Sequence, residues 1–293
     1  MWWVVTLAAA AFQTSRTAFQ HRLRALLSVS GAGFVRYVYG APIALSAVGV
    51  CALLGVDLPT IHGGFWWKIA VGGIAQIIAT VLLIRAFDAS SFAIGTVFSK
   101  TEIAQVSLFS VVFLGERLRV LGYAAVALCM VGIVVLATKG GSNRLGGTNR
   151  AMVVGLGAGA FFGLAAVGIR AASKDLSSAS APVKAIIALA VMNSMQTVIH
   201  GGYLVWREPG QARLALVHWR SSSVVGVLSV CGSACWALAF VLQNAARVRT
   251  FGQVELLFTF GVSHFWFKTK HVRAEYLASA LIMLGVVGIV LFG

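Results

Sequence analysis

Uncharged apolar runs recur along this chain at close intervals, and they restrict it to few surroundings. Ala124–Ala137 with its flanks is one such run and Ala278–Gly293 is another. Each approaches the roughly 20 apolar residues that carry a helix across a bilayer. Charged residues make up 11% of the 293, against 59% hydrophobic, where a soluble domain carries about 25% charged. The fold class expected is therefore an all-α membrane protein with many spans.

Polar, charged and Gly/Ser/Pro-rich breaks divide the chain into ten candidate transmembrane helices. In the first half these run approximately over 2–20, 33–54, 66–85, 92–114 and 120–138. In the second half they cover approximately 151–172, 181–205, 221–243, 251–267 and 274–292. The opening "MWWVVTLAAAAFQTSR" has no basic segment ahead of its apolar stretch, so it reads as a retained first helix rather than a cleaved signal. Between the halves lies "KGGSNRLGGTNR" at 139–150, polar and glycine-rich as a flexible connector is.

A net charge of +15 would suggest nucleic acid as the partner of a soluble protein. Here Lys and Arg mostly sit between apolar runs, as at Arg22/Arg24, Arg117/Arg119, Lys139/Arg144/Arg150, Arg247/Arg249 and Lys268/Lys270/Arg273. Such charges meet lipid headgroups and set orientation. No nucleic acid is expected. Cys51, Cys129, Cys231 and Cys235 all fall in apolar runs, without the further His or thiolate ligands that a metal site needs. They read as packing residues, and neither a metal nor another cofactor is expected.

Five spans, a connector and five more spans suggest an internal repeat. A shift of 153 residues pairs Glu102 with Glu255, Ser110 with Ser263, Tyr123 with Tyr276, Met130 with Met283 and Gly132 with Gly285. Because five is odd, the second copy enters from the opposite side of the membrane. The expected architecture is two inverted five-helix repeats, 1–138 and 151–293, joined by the linker 139–150. Secondary transporters are often built this way, with the substrate near mid-membrane between the repeats.

Of eight acidic residues, six lie in loops or at span ends and only Glu102 and Glu255 lie within spans, and they are repeat partners. A charge in lipid is costly, so both are expected to face protein or a watery cavity. They either accept protons or contact cations, or they hold helices together through hydrogen bonds. Lys100, two residues from Glu102, is expected to snorkel to the interface, with lining the pathway as its other reading. Gln13, Gln76, Thr80, Ser99 and Thr259 are polar positions in the spans, and Trp236 lies well inside one. With the two acids these are the candidate substrate-pathway residues. Interhelical hydrogen bonding is the plainer role for the polar ones, and core packing for Trp236. No cluster of Arg or Lys is read inside the spans, which favours amphipathic organic solutes, amino acids or related metabolites among them, over small polar anions. Trp2/Trp3, Trp66/Trp67, Trp206, Trp219 and Trp266 fall near span ends, where an interfacial belt would put them.

"KTEIAQVSLFSVVFLGERL" (100–118) resembles the fourth-helix signature of the EamA-like branch of the drug/metabolite transporter superfamily. There an acid opens the helix and a Gly-Glu turn follows fourteen residues after it, the spacing of Glu102 and Glu116. "GYAAVALCMVGIVVLA" (122–137) likewise resembles that family's fifth helix. In the second half Lys268-Thr269-Lys270 stands where the Gly-Glu turn would be, which puts the role of that turn in doubt.

The resemblance implies ten spans around a central cavity lined mainly by helices one, three, four, six, eight and nine. It implies a secondary active transporter, an exporter of small organic metabolites or drugs by alternating access, and not an enzyme. It also implies a multi-pass place in a cell membrane of the bacterial inner-membrane kind. The partners expected are a small-molecule substrate, membrane lipid and protons, for a monomer or homodimer. Lys and Arg are more numerous in odd-numbered connections than in even ones, which puts the termini outside, whereas the family places them in the cytoplasm. An integral-membrane enzyme, such as a lipid-modifying transferase, is the reading from another class. It would call for paired acids or His clusters that the loops lack.

Overall fold

A computed structural model of the chain describes residues 1–89, 98–139, 149–258 and 273–293. The described chain is almost wholly helical. In order it forms α1 (Trp2–Leu23), α2 (Val29–Leu53), β1 (Thr60–Ile61), α3 (Gly64–Ala89), α4 (Glu102–Leu114), α5 (Val120–Lys139) and α6 (Asn149–Lys174). There follow β2 (Leu176–Ser177), α7 (Ala181–Arg207), α8 (Gln211–Val217), α9 (Trp219–Leu242), α10 (Ala245–Phe251) and α11 (Arg273–Phe292). Among the described residues, five helices are long and apolar enough to cross a membrane: α2, α3, α6, α7 and α9. Glu102–Leu114, Val120–Val135 and Tyr276–Phe292 form shorter apolar helices. The chain is thus an all-α membrane protein.

Helix ends follow local chemistry. Ser28 caps α2 by accepting from the Gly31 amide, which satisfies one of the orphan donors of the first turn. Pro42 lies inside α2, where it cannot donate to the carbonyl one turn back. At the end of α4, Gly115 takes the left-handed conformation (φ 65°). Its amide donates to Val111 O at 3.1 Å, the bond of a left-handed (αL) stop, and the Glu116 amide donates to Ser110 O at 3.1 Å. The Gly-Glu turn read from the sequence therefore ends this helix as expected.

Two compact units make up the chain. Unit 1 comprises 1–81 and 168–243, and unit 2 comprises 82–167 and 244–293. In unit 1, α1 packs on α9 and α2 packs on both α7 and α9. Gly40 faces Asn193, whose Nδ2 lies 2.8 Å from where a Cβ would stand, and Gly33 faces His200 Cε1 at 3.3 Å. Position numbers rise on α2 as they fall on α7, so the two helices run antiparallel. Gly226 of α9 leaves room for Tyr39 and Gly232 leaves room for Phe12. A two-residue antiparallel ladder joins β1 to β2, pairing Thr60 with Ser177 and Ile61 with Leu176. Lys68 and Asp175 form an ion pair at 2.7 Å beside it. Neither this strand pair nor the short helices α8 and α10 were expected from the pattern of apolar runs.

In unit 2 the dominant packing is α5 on α11. A Cβ on Gly132 would stand 2.8 Å from Ile282 Cγ1 and 2.9 Å from Ala278 O. One on Gly285 would stand 2.4 Å from Cys129 Sγ and 2.7 Å from Ala125 O. Gly122 meets Gly293 at the end of the same seam, so this pair is antiparallel as well. Cys129 Sγ donates to Ile282 O at 3.6 Å, which fits its reading as a packing residue. α10 packs on α4 and α11.

Outward faces are apolar. On α4, Leu108, Val112 and Phe113 are exposed, and so are Trp3, Trp66, Trp67, Trp206 and Trp219 near helix ends. That is the placement expected of an interfacial aromatic belt.

Candidate functional site

Among the described residues, two groups of buried charged and polar side chains stand out, one in each unit. In unit 2 the residues just before α4, α4 itself, α10 and the helical stretch 254–258 bring four charged groups inside. Lys100 Nζ lies 2.5 Å from Glu255 Oε2, with 7% and 9% of the two side chains exposed. Arg249 Nη1 lies 3.6 Å from Glu102 Oε1, with 5% of each exposed. The first pair is a charge-assisted hydrogen bond. The second is an ion pair too long to be one.

Two expectations are corrected here. Lys100 does not snorkel to an interface, since it is buried on Glu255. Arg249 is not a headgroup-facing charge between spans, since α10 carries it into the interior. Burying an ion costs several kcal/mol unless a partner repays it, and each cation here answers one of the two interior acids. Among the described residues the four charges balance, two cations against two anions.

Neighbouring groups are polar as well. Gln253 is 1% exposed, and its Nε2 donates to Arg249 O at 3.1 Å. Gln105 stands one turn after Glu102 on α4 and its Nε2 reaches Leu156 O at 3.5 Å. Gly159 of α6 faces this spot. A Cβ on it would stand 2.8 Å from Ser99 O, 3.1 Å from the Glu102 amide and 3.3 Å from Gln105 Oε1. Ser99 is buried there too.

Unit 1 holds the second place, between α2, α3 and α7. Arg36 Nη1 donates to Thr80 Oγ1 at 2.6 Å, and Thr80 in turn donates to Gln76 O at 2.8 Å. Gln196 Nε2 donates to Gln76 Oε1 at 3.0 Å and to Gly73 O at 2.9 Å. All four side chains are buried. One turn beyond Gln196, His200 is 2% exposed among the rings of Phe34, Tyr37 and Tyr203. In the same unit Trp236 Nε1 donates to Gln13 Oε1 at 3.0 Å and its ring stacks on Phe240.

The sequence-derived residues therefore divide. Gln13, Gln76, Thr80 and Trp236 lie in unit 1, and Ser99, Glu102 and Glu255 lie in unit 2. Thr259 lies outside the described residues, as does Lys268-Thr269-Lys270. Arg36 escaped the sequence reading; it is buried in unit 1, as Lys100 and Arg249 are in unit 2. The available signal was position: Arg36 stands inside an apolar run, and Arg249 stands six residues before the rare acid Glu255. Among the described residues no three His, Cys, Asp or Glu side chains gather as metal ligands would.

No family model matches the chain, and no curated protein does either. A solved crystal structure, of a protein described no further than as a protein, matches 98% of this chain and 96% of its own. Its TM-score is 0.72 at 14% identity, a likeness of fold.

Proposed function

We propose that the chain is a secondary active transporter, an exporter of small organic metabolites or drugs working by alternating access. In this reading it crosses a cell membrane ten times as two inverted five-helix repeats, 1–138 and 151–293, of the EamA-like kind. The observation that carries the reading is that positions 153 apart meet each other across antiparallel helices. Gly132 packs on the Ala278–Ile282 turn while its counterpart Gly285 packs on the Ala125–Cys129 turn. Those two turns are themselves counterparts. Gly40 and Asn193, also 153 apart, meet in the same way in unit 1. Shifting the bounds of α5 by 153 gives those of α11.

Counterpart positions meet in this way when two copies of one unit are related by a local two-fold axis. Antiparallel counterparts are what opposite insertion of the copies produces, and mirrored repeats of that kind frame the solute site of many transporters. Interior charge supports the same reading, because ionisable groups within membrane helices mark substrate or ion paths. Glu102 and Glu255 are the candidate coupling residues for protons. Gln13, Gln76, Thr80, Ser99, Trp236 and Thr259 are the candidate pathway residues.

Single cysteines at 143 and 293, in a chain stripped of its four native ones, should react with a membrane-impermeant reagent from opposite faces of a proteoliposome. Reaction from one face removes the mirrored repeats. Flux then tests function. The purified chain should drive uptake or exchange of a labelled solute, chosen by thermal-shift screening, under an imposed pH gradient. Glu102→Gln or Glu255→Gln should abolish the gradient dependence. Liposomes no leakier than empty ones to every solute that stabilises the protein would refute transport.

A further inference from the structure

The connection between α7 and α9 is more than a loop. Both of those helices are long and apolar enough to cross a membrane, and α8 (Gln211–Val217) links the end of one to the start of the other. Seven residues of helix span only about 10 Å, so α8 lies where its neighbours emerge, at the level of the lipid headgroups. It is fastened by its inner side. Gln211 Oε1 accepts from the Ser28 amide at 2.9 Å, and the Ala215 carbonyl, one turn on, accepts from the Tyr39 hydroxyl at 3.1 Å. Arg213, Leu216 and Val217 share the outer side and are exposed, as are Trp206 and Trp219 on either flank.

Arginine collects on this elbow. The Arg207 guanidinium stands 4.0 Å from the centre of the Trp206 ring, and that of Arg220 stands 5.7 Å from the Trp219 ring. Arg207, Arg213 and Arg220 are exposed, and among the described residues none of them pairs with a carboxylate or donates a hydrogen bond from its guanidinium. The acid of the same stretch, Glu208, is held by the Ser28 hydroxyl, which donates to it. No side chain caps the start of α9 at Trp219, and a helix start favours an anion. At the other end of unit 1 cations are partnered: Lys68 is bound to Asp175, and Arg170 donates to the Phe240 and Val241 carbonyls.

We propose that the elbow from Trp206 to Arg220 binds the headgroup of an anionic phospholipid. A guanidinium is a planar fork of donors that matches phosphate oxygens in pairs. Three of them at headgroup level, two stacked on indole rings, complement a phosphodiester and its negative charge. Leu214, Leu216 and Val217, exposed beside them, suit acyl chains and would gain nothing from a free anion in water. A zwitterionic lipid offers the same phosphate but cancels its charge with an ammonium of its own. The inference rests on the membrane placement of α7 and α9 and not on what the protein carries.

Binding is read on the purified full chain in detergent. Phosphatidylglycerol and phosphatidylcholine with the same acyl chains are titrated in mixed micelles, with glycerol 3-phosphate as the free headgroup. A cation near an anionic lipid surface contributes about fivefold. Phosphatidylglycerol should therefore raise thermal stability at concentrations at least about tenfold below those of phosphatidylcholine, and glycerol 3-phosphate should not raise it. Arg207→Gln, Arg213→Gln and Arg220→Gln together should bring the two lipids level. Lysine at the same three positions should restore part of the preference, because it returns the charge without the fork. Lys174→Gln with Lys184→Gln should leave the preference as it is. Equal stabilisation by both lipids overturns the site, and so does an equal response to glycerol 3-phosphate. A preference that survives the three glutamines, or that falls as far with the two lysines replaced, overturns it too. Unfolding in lipid-free detergent separates lost binding from lost folding, and if the triple variant does not fold, the single ones decide, each expected to lose up to about fivefold.

Discussion

Lys100 Nζ rests 2.5 Å from Glu255 Oε2 where less than a tenth of either side chain is exposed. Breaking such a pair from one side leaves a buried charge without that partner, which costs about 3–5 kcal/mol. Lys100→Met and Glu255→Leu should each destabilise the protein by that order. The double substitution should recover most of the loss, because it removes both desolvated ions together. Denaturant unfolding in detergent micelles measures all three, and losses that simply add would deny the coupling.

The ion pair between Lys68 and Asp175 is a useful contrast, since 24% and 19% of those side chains are exposed. Partial solvation screens it, and exposed pairs contribute about 1 kcal/mol or less. Asp175→Asn should lower stability by under about 1 kcal/mol, with the difference shrinking as salt is raised. Unfolding midpoints at low and high ionic strength would show this. A loss comparable to that of Lys100→Met would mean that the pair is effectively buried.

Gly132 and Gly285 meet their opposite helices at backbone as well as side-chain atoms, inside van der Waals distance of an added Cβ. Overpacking of a tight contact costs about 1–3 kcal/mol. Gly132→Ala and Gly285→Ala should therefore lower stability by similar amounts in that range. Gly49→Ala, with nothing within 4 Å of the new carbon, should be neutral or stabilising by up to about 1 kcal/mol. Thermal unfolding of the three variants side by side is the check, and a harmless Gly285→Ala would contradict the packing.

Gly115 is held at φ 65°, a conformation that costs an L residue with a Cβ about 1–2 kcal/mol. Gly115→Ala should show that loss. Gly115→Asn should lose less, since asparagine tolerates the left-handed region better. Equal stability of Gly115→Ala and the parent would mean that the turn relaxes to another shape.

What the sequence disclosed follows from which forces act locally. Runs of apolar residues fix where helices lie, and the read spans agree with α2, α5, α7, α9 and α11 to within a few residues. The Gly115 stop was equally legible, because a left-handed cap depends on one residue and its neighbours. The spacing of Glu102 and Glu255 was visible as arithmetic along the chain. The partners of those acids were not. A hydropathy window treats Lys100 or Arg249 as a break, and only the fold decides whether a cation at such a break turns outward or inward. The β1–β2 ladder was hidden for another reason. Two residues on each side carry no periodicity, and their pairing depends on connections brought together by helices far apart in sequence.

Pro42 has a mechanical consequence for α2. The carbonyl of Val38 has no amide at position 42 to receive, and Gly40, between them, contributes no side chain to stiffen the turn. That turn is also where α2 comes against Asn193 of α7. A proline inside a helix removes one of its hydrogen bonds and is a common place for a kink, so this is the turn of α2 with the least backbone resistance to bending.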